Sequence, residues 1–146
     1  MRIKTITICC SASFYKQALE VQQKLREVGF KVEVPLTANK MKKSGDFNVN
    51  TYKTWYKNAA DYGRKAKLMK AHFKKVVGAG AILVLNYEKN GVQGYIGGNG
   101  LMEMAIAFHY KKPIYVLNPV PESLTIYEEI MGMQPVMLNG DLGKIK

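Results

Sequence analysis

The first 35 residues alternate between two hydrophobic patterns, and this alternation limits the possible folds more than any other feature of the chain. Two short apolar runs rich in β-branched residues, typical of buried strands, flank a segment with apolar residues every three or four positions, typical of a helix. The runs are Ile3–Cys10 and Phe30–Val34, and the helical positions between them are Ala18, Val21, Leu25 and Val28. This order predicts a β-α-β unit with parallel strands.

The rest of the chain repeats the alternation, which predicts a doubly wound α/β fold. Residues 36–52 show no period and are predicted to be a loop. We expect one Rossmann-like or flavodoxin-like domain over residues 1–146, with a five-stranded parallel sheet in the order 2-1-3-4-5. The further strands are predicted at Ala81–Leu85, Pro113–Leu117 and Pro135–Leu138, and the further helices at Trp55–Val76, Gly100–Tyr110 and Glu122–Met131.

This strand order also predicts where a ligand binds. Open parallel sheets bind ligands beyond the carboxyl ends of the strands, where the strand order reverses, which lies here between the first and third strands. The loops that follow these strands are Cys10–Phe14, with two serines, and Asn86–Asn99, which is rich in glycine. The strand order and the composition of the two loops therefore indicate the same ligand site.

An excess of basic residues favours anionic partners. Lys and Arg number 22 and Asp and Glu 11, a formal net charge of +11, and eight of the basic residues lie between Lys53 and Lys75. We interpret the lysines of the helix in this segment as a solvated face. The apolar content of 47% argues against a disordered chain, and no apolar run has the length of a membrane span.

Cysteine and histidine positions favour a reduced compartment and no metal. Cys9 and Cys10 are adjacent in a predicted strand, where a disulfide between them would be strained. With no signal-peptide pattern, we expect a cytoplasmic protein. His72 and His109 have no cysteine or acidic companion at ligand spacing, so we expect neither a metal site nor a cofactor.

Two loops contain groups suited to hold an anion. Ser11 and Ser13 lie where the first strand gives way to a helix, whose start offers free backbone N–H groups. Their hydroxyls suit either a helix cap or a contact with a phosphate or sugar. The segment Gly97–Gly100 lies at the start of a later helix, and its glycines allow a ligand to approach the backbone closely.

Glu103 is the strongest candidate for chemistry. It is the only charged residue in the apolar run Leu101–Phe108, and a carboxylate in such a run generally has a partner or a chemical role. In the first turn of the predicted helix, the dipole would help to keep it ionised, which suits a nucleophile. The alternative is a carboxylate that only complements the dipole.

Four segments of the chain are similar to one known family. They are Ile8–Phe14 after the first strand, the third strand Ala81–Asn86, the loop Gly94–Glu103 with its following alanines, and Lys112–Tyr115. The third is the most specific, because a glycine loop, a glutamate and small residues occur together. With these segments the sequence resembles the nucleoside 2-deoxyribosyltransferase-like family over most of its length.

The resemblance implies an enzyme that acts on the N-glycosidic bond of a nucleoside or its 5′-monophosphate. In that family a glutamate at the position of Glu103 attacks the anomeric carbon, the base leaves, and the covalent intermediate passes to another base or to water. The resemblance also implies a homodimer or larger assembly, with Tyr127–Met137 as a contact surface. The residues implied to contact the substrate are Ser11, Ser13, Phe14, Asn86, Gly97, Gly98 and Asn99.

Other interpretations stay open from the sequence alone. Asn86 stands where family members often have an aspartate, which favours a nucleotide-binding module without catalysis as the alternative. A basic nucleic-acid-binding protein is a further alternative. Cytokinin-type phosphoribohydrolases share a glycine loop, but their pattern would place the acid at Met104. The general acid for the leaving base has three candidates, Glu128, Glu129 and Asp141.

Overall fold

The computed structural model describes residues 2–146 and contains a parallel five-stranded sheet. The strands pair in the order β2-β1-β3-β4-β5, as the sequence predicts. Cys10 pairs with Leu85, so the first and third strands end side by side and their loops leave from the same edge. Met1, part of the predicted domain, lies outside the described residues. The strands are β1 (Thr5–Cys10), β2 (Lys31–Glu33), β3 (Ala81–Leu85), β4 (Ile114–Val116) and β5 (Val136–Met137).

Helices connect the strands, because parallel neighbours need a crossover connection between them. Short 3₁₀ turns occur at Ala12–Phe14, Ala59–Asp61 and Leu142–Lys144. Within residues 2–146, no helix is long and apolar enough to cross a membrane. The α-helices of this range are α1 (Tyr15–Glu27), α2 (Leu36–Ser44), α3 (Val49–Tyr52), α4 (Tyr62–Gly78), α5 (Gly98–His109) and α6 (Tyr127–Gly132).

The sheet separates two hydrophobic clusters, because neighbouring side chains of a strand point to opposite faces. Ile8 and Cys10 of β1 belong to the cluster that also contains Ala18 of α1 and Ala38 of α2. Cys9 belongs to the cluster on the other face, which also contains Val76 of α4, Met104 and Ala107 of α5, and Ile130 of α6. Both cysteines are buried free thiols, in agreement with the sequence analysis.

The prediction of a loop over residues 36–52 is wrong, because this segment contains α2 and α3. Helix α2 buries only Ala38 and Met41, and α3 is a single turn with no buried side chain. Neither helix therefore leaves a hydrophobic period in the sequence. Capping marks α3 instead, since the side chain of Asn48 accepts a hydrogen bond from the N–H of Asn50 at 3.0 Å.

Predicted element ends differ most at α4, which begins at Tyr62 rather than Trp55. The side chain of Asn58 caps the 3₁₀ turn that precedes α4, so the chain before it is not helical. Trp55 is buried for another reason, which is its position in the wall of a cavity. Helix α6 likewise begins at Tyr127 rather than Glu122, and β1 begins at Thr5 rather than Ile3.

Candidate active site

A cavity of about 510 Å³ opens beyond the carboxyl ends of β1 and β3, where the strand order predicts a ligand site. One side consists of the Ser11–Ser13 turn and the start of α5, and the other comes from residues of α2, α3 and α4. The helices that sequence analysis misses therefore form a wall of the cavity. Its volume suits a small organic ligand, for which pockets span roughly 300–1,000 Å³.

Most of the predicted site residues line this single cavity. Two of them do not, namely Phe14 and Asn86. The structure thus brings the two predicted loops and the candidate glutamate together. The predicted residues in the lining are Ser11, Ser13, Gly97, Gly98, Asn99 and Glu103.

Phe14 lies in the core behind the cavity rather than in its wall. Its side chain is buried in the cluster under α1. The ring packs edge-on against Tyr87 and Tyr95, with centroid separations of 5.3 and 6.5 Å. Because Tyr95 does line the cavity, Phe14 supports a wall residue and has no direct access to a ligand.

Asn86 joins the ends of β3 and β4 and does not face the cavity. Its side chain is fully buried and donates to the carbonyl of Asn118 at 2.8 Å. The N–H of Asn118 in turn donates to Asn86 Oδ1, also at 2.8 Å. With both ends of the amide engaged, Asn86 acts as a structural link, which corrects its prediction as a substrate contact.

Glu103 lies deeper in its helix than the sequence suggests. Helix α5 begins at Gly98, so Glu103 is in the second turn, and the helix has no acidic residue in its first turn. The buried face of α5 takes only part of the apolar run Leu101–Phe108. It contains Gly100, Glu103, Met104 and Ala107, whereas Phe108 at the end of the run is exposed.

Burial, not the helix dipole, dominates the ionisation of Glu103. The residue is only 8% exposed. Burial raises the pKa of its carboxyl from 4.5 to about 7, although the Cys9 thiol and the Lys65 ammonium act in the opposite direction. Burial thus opposes the helix dipole, which the sequence analysis expects to help keep Glu103 ionised.

His72 and Cys9 meet Glu103 at the floor of the cavity. His72 Nε2 lies 3.8 Å from Glu103 Oε1 and 3.6 Å from Cys9 Sγ. Burial, followed by the nearby Lys75 charge, lowers the pKa of His72 to about 4, so its imidazole is neutral at physiological pH. Sequence spacing hides this cluster, because its members come from β1, α4 and α5.

The same three side chains form a donor set that a metal ion could use. Their sulfur, nitrogen and oxygen atoms lie within 4.8 Å of one another, and all three residues are buried. Thiolate, imidazole and carboxylate together are typical ligands of Zn²⁺. Sequence analysis, which finds no companion for His72, misses this proximity.

The start of α5 presents unpaired backbone donors to the cavity. The N–H of Leu101 makes the first helical hydrogen bond, to the carbonyl of Gly97, and no side chain caps the helix. The first N–H groups of a helix lack partners within it. Gly98, Asn99 and Gly100, which carry such groups, all line the cavity.

Three lysines and several aromatic rings complete the lining. Lys53, Lys65 and Lys89 reach the cavity, so the lysine run is not solvated throughout as sequence analysis suggests. Glu103 is the only carboxylate among the lining residues of the described chain. The three candidate general acids, Glu128, Glu129 and Asp141, lie elsewhere. The aromatic residues of the lining are Tyr15, Tyr52, Trp55, Tyr56, Tyr62 and Tyr95.

Comparison with known proteins supports the fold and goes no further. The sequence matches no protein-family model and no curated protein. Its structure is similar to that of the 2-deoxyribosyltransferase from the psychrotolerant bacterium Bacillus psychrosaccharolyticus, with a TM-score of 0.53 and 14% sequence identity. The similarity covers 84% of this chain and 77% of the other. At this identity, the two proteins share an architecture of five parallel strands flanked by helices.

Proposed function

We propose that this protein cleaves or transfers the N-glycosidic bond of a deoxynucleoside or its 5′-monophosphate, with Glu103 as the nucleophile. One observation carries the proposal. Glu103 is the only carboxylate in the lining of a ligand-sized cavity and is buried at its floor, with a pKa of about 7. A buried carboxylate with a perturbed pKa in a cleft is a functional-site signal. The fold shared with a 2-deoxyribosyltransferase supports this assignment.

The reaction proceeds in two displacements at one carbon. A carboxylate oxygen of ionised Glu103 attacks the anomeric carbon, and the bond to the base breaks as the glycosyl-enzyme ester forms. The base departs with the bonding electron pair and takes a proton from solvent. A second base, or water, then attacks the same carbon and releases Glu103, so the configuration of the sugar is retained.

The walls of the cavity suit the two halves of such a substrate. Trp55 and the tyrosines provide flat apolar faces on which a nucleobase can stack. The turn at Ser11 and the helix start at Gly98 provide hydroxyl and N–H donors for the oxygens of a sugar or phosphate. Ser11, Ser13, Gly97, Gly98 and Asn99 therefore keep their assignment as substrate contacts.

The test is incubation with a panel of deoxynucleosides and their 5′-monophosphates, with and without a free acceptor base, followed by chromatography. Wild-type protein should release or exchange a base. Glu103→Ala and Glu103→Gln should each reduce turnover on the order of 10³-fold while retaining ligand binding, because the carboxylate acts mainly in the transition state. The matched control is Glu122→Gln, an exposed glutamate outside the cavity, which should behave as wild type.

A nucleotide-binding module without turnover is the second candidate. It is favoured by the absence of a second carboxylate from the cavity lining of residues 2–146, since glycosidases generally use a pair. Saturable ligand binding with no base release by the wild type would support the module. Base release that persists in Glu103→Ala would contradict the nucleophile assignment.

A further inference from the structure

Three lysines from separate parts of the chain line the same cavity. Lys53 follows α3, Lys65 lies in the first turn of α4, and Lys89 lies in the loop after β3. No carboxylate pairs with any of them among the described residues, where the only lysine ion pair joins Lys75 to Glu33. The cavity therefore concentrates positive charge that the protein itself does not neutralise.

Neutral groups hold all three ammonium groups in place, and Lys53 Nζ lies 5.5 Å from the centre of the Tyr56 ring. Lys89 Nζ donates to the Ser11 hydroxyl at 3.0 Å and lies 4.9 Å from the centre of the Tyr95 ring. Lys65 Nζ lies 5.3 Å from the centre of the Trp55 ring. Cation–π contacts of this kind position a cation without cancelling its charge. The arrangement thus keeps the charges available to a ligand.

Burial and repulsion also make the charged forms of two of these lysines less favourable. Burial, followed by repulsion from Lys53, lowers the pKa of both Lys65 and Lys89. Lys67, Lys70 and Lys74 of the same helix are exposed and do not line the cavity. A cluster of like charges at a concave site is stabilised by an anion that enters it.

The lysine that could bind an anionic group of a ligand is not the lysine that acts on the Glu103 carboxyl. Lys89 Nζ donates to the Ser11 hydroxyl at 3.0 Å, at the turn after β1, and Lys65, not Lys89, lowers the pKa of the Glu103 carboxyl. An anionic group at Lys89 and Ser11 therefore avoids the carboxylate of Glu103. A ligand that suits this cavity has an anionic group at one end and an uncharged reactive carbon at the other.

We propose that the cavity selects nucleotides with a 5′-phosphate, and that Lys53, Lys89 and the Ser11 hydroxyl hold this phosphate. The inference rests on the proposed function, whose substrate class it narrows. In a nucleoside 5′-phosphate the phosphate and the anomeric carbon project from opposite ends of the sugar. With the phosphate at Lys89 and Ser11, the anomeric carbon is placed toward Glu103, which lines the same cavity.

The experiment compares ligands by calorimetry on the full-length Glu103→Gln variant, in which turnover does not consume the ligand. The ligands are a deoxynucleoside 5′-monophosphate, the parent deoxynucleoside and inorganic phosphate. The monophosphate should bind on the order of 100-fold more tightly than the other two, because charge-assisted hydrogen bonds add to base and sugar contacts. Its affinity should fall steeply with added salt.

Lysine variants in the same background locate the phosphate. Lys53→Gln and Lys89→Gln should each weaken monophosphate binding about tenfold and leave deoxynucleoside binding unchanged. Lys70→Gln, an exposed lysine of α4, is the matched control and should change neither. Thermal unfolding of each variant confirms that it is folded.

Three results would overturn the inference. They are equal affinity for the deoxynucleoside and the monophosphate, inorganic phosphate that binds as tightly as the monophosphate, and an effect of Lys70→Gln equal to that of Lys89→Gln. Failure of the proposed function is distinguishable. Monophosphate binding through Lys53 and Lys89 with no base release by wild-type protein supports the phosphate site and contradicts the enzymatic role.

Discussion

His72 Nε2 lies 3.8 Å from Glu103 Oε1, yet both side chains are uncharged between about pH 4 and about pH 7. Burial causes this, because it lowers the pKa of the histidine and raises that of the glutamate. The contact is therefore a neutral pair over that range and not an ion pair. A nucleophilic Glu103 becomes available only as the pH rises through the upper value.

The pH dependence of turnover should show this directly. If Glu103 attacks as a carboxylate, kcat/KM should rise with an apparent pKa near 7 and fall to about 1% of its plateau two units lower. The measurement uses an unphosphorylated deoxynucleoside, so that the phosphate does not titrate in the same range. A profile that is flat from pH 5 upward would show that Glu103 has an ordinary pKa or is not the nucleophile.

Cys9 should affect the apparent pKa of this pH profile. The Cys9 thiol, a hydrogen-bond donor within 4.8 Å of the Glu103 carboxylate, lowers the pKa of that carboxyl. Cys9→Ala removes the donor, so the apparent pKa should move above 7 and the lost activity at neutral pH should return in alkaline solution. Cys9→Ser keeps a donor and should stay close to wild type. If Cys9→Ala lowers activity equally at every pH, the thiol acts through packing alone.

The sheet is predictable from sequence because its strands are buried on both faces. The run that becomes β3 is a continuous apolar segment, the run that becomes β1 is rich in β-branched residues, and parallel pairing with crossovers then limits the strand order. Helices α2 and α3 escape prediction because they bury almost no apolar surface. A hydrophobic period in the sequence reflects the burial of apolar side chains. Helices that cover a cavity rather than a core bury few such side chains, so the sequence shows no clear period for them.

The site is predictable only in part, for a related reason. Ser11 and Gly97 lie where a strand ends or a helix begins, and Glu103 lies in the second turn of the helix after Gly97, positions that topology brings together. His72 and the lysines of the cavity belong to α4 and to loops. Only the tertiary packing of these elements brings the side chains to the cavity. The predicted assembly into a homodimer or larger, with contacts over Tyr127–Met137, stays a prediction, as does the cytoplasmic location.

Trp55 should report ligand binding by its fluorescence. It is the only tryptophan of the chain and lines the cavity. Addition of the monophosphate should therefore change its emission, with a saturation curve that matches calorimetry. Trp55→Ala should weaken binding on the order of tenfold by removing a stacking surface, and Trp55→Phe should retain most of the affinity. An emission that does not respond to a bound ligand would place the base elsewhere.

Asn86 should matter for stability rather than for ligand recognition. In Asn86→Asp, a carboxylate replaces the amide that donates to the Asn118 carbonyl, and two buried oxygens then face each other. The free energy of unfolding should fall by about 2–4 kcal/mol. Asn90→Asp, at an exposed turn position, is the control and should change it little. Loss of ligand affinity in folded Asn86→Asp without loss of stability would restore its prediction as a substrate contact.

The pKa of Glu103 should also appear in the pH dependence of folding. Its pKa in the folded state, about 7, lies above the unfolded value of about 4.5, so the folded protein binds more protons between these limits. The stability that the protonated group contributes is present below pH 4.5 and is lost as the pH rises through 7. Integrated over this window, the loss amounts to about 3 kcal/mol.

Glu103→Gln isolates this contribution, because glutamine keeps the shape of the side chain and does not titrate. The free energy of unfolding of wild type minus that of Glu103→Gln should therefore decrease from pH 4.5 to pH 7 and stay level above it. The variant should also expose the opposite effect of His72, whose lowered pKa makes stability fall as the pH drops from 6.5 to about 4. In wild type the two effects oppose each other over most of this range, so its stability should vary less than that of the variant. Chemical denaturation at intervals of half a pH unit measures both curves, and parallel curves would show that Glu103 titrates alike in the folded and unfolded chains.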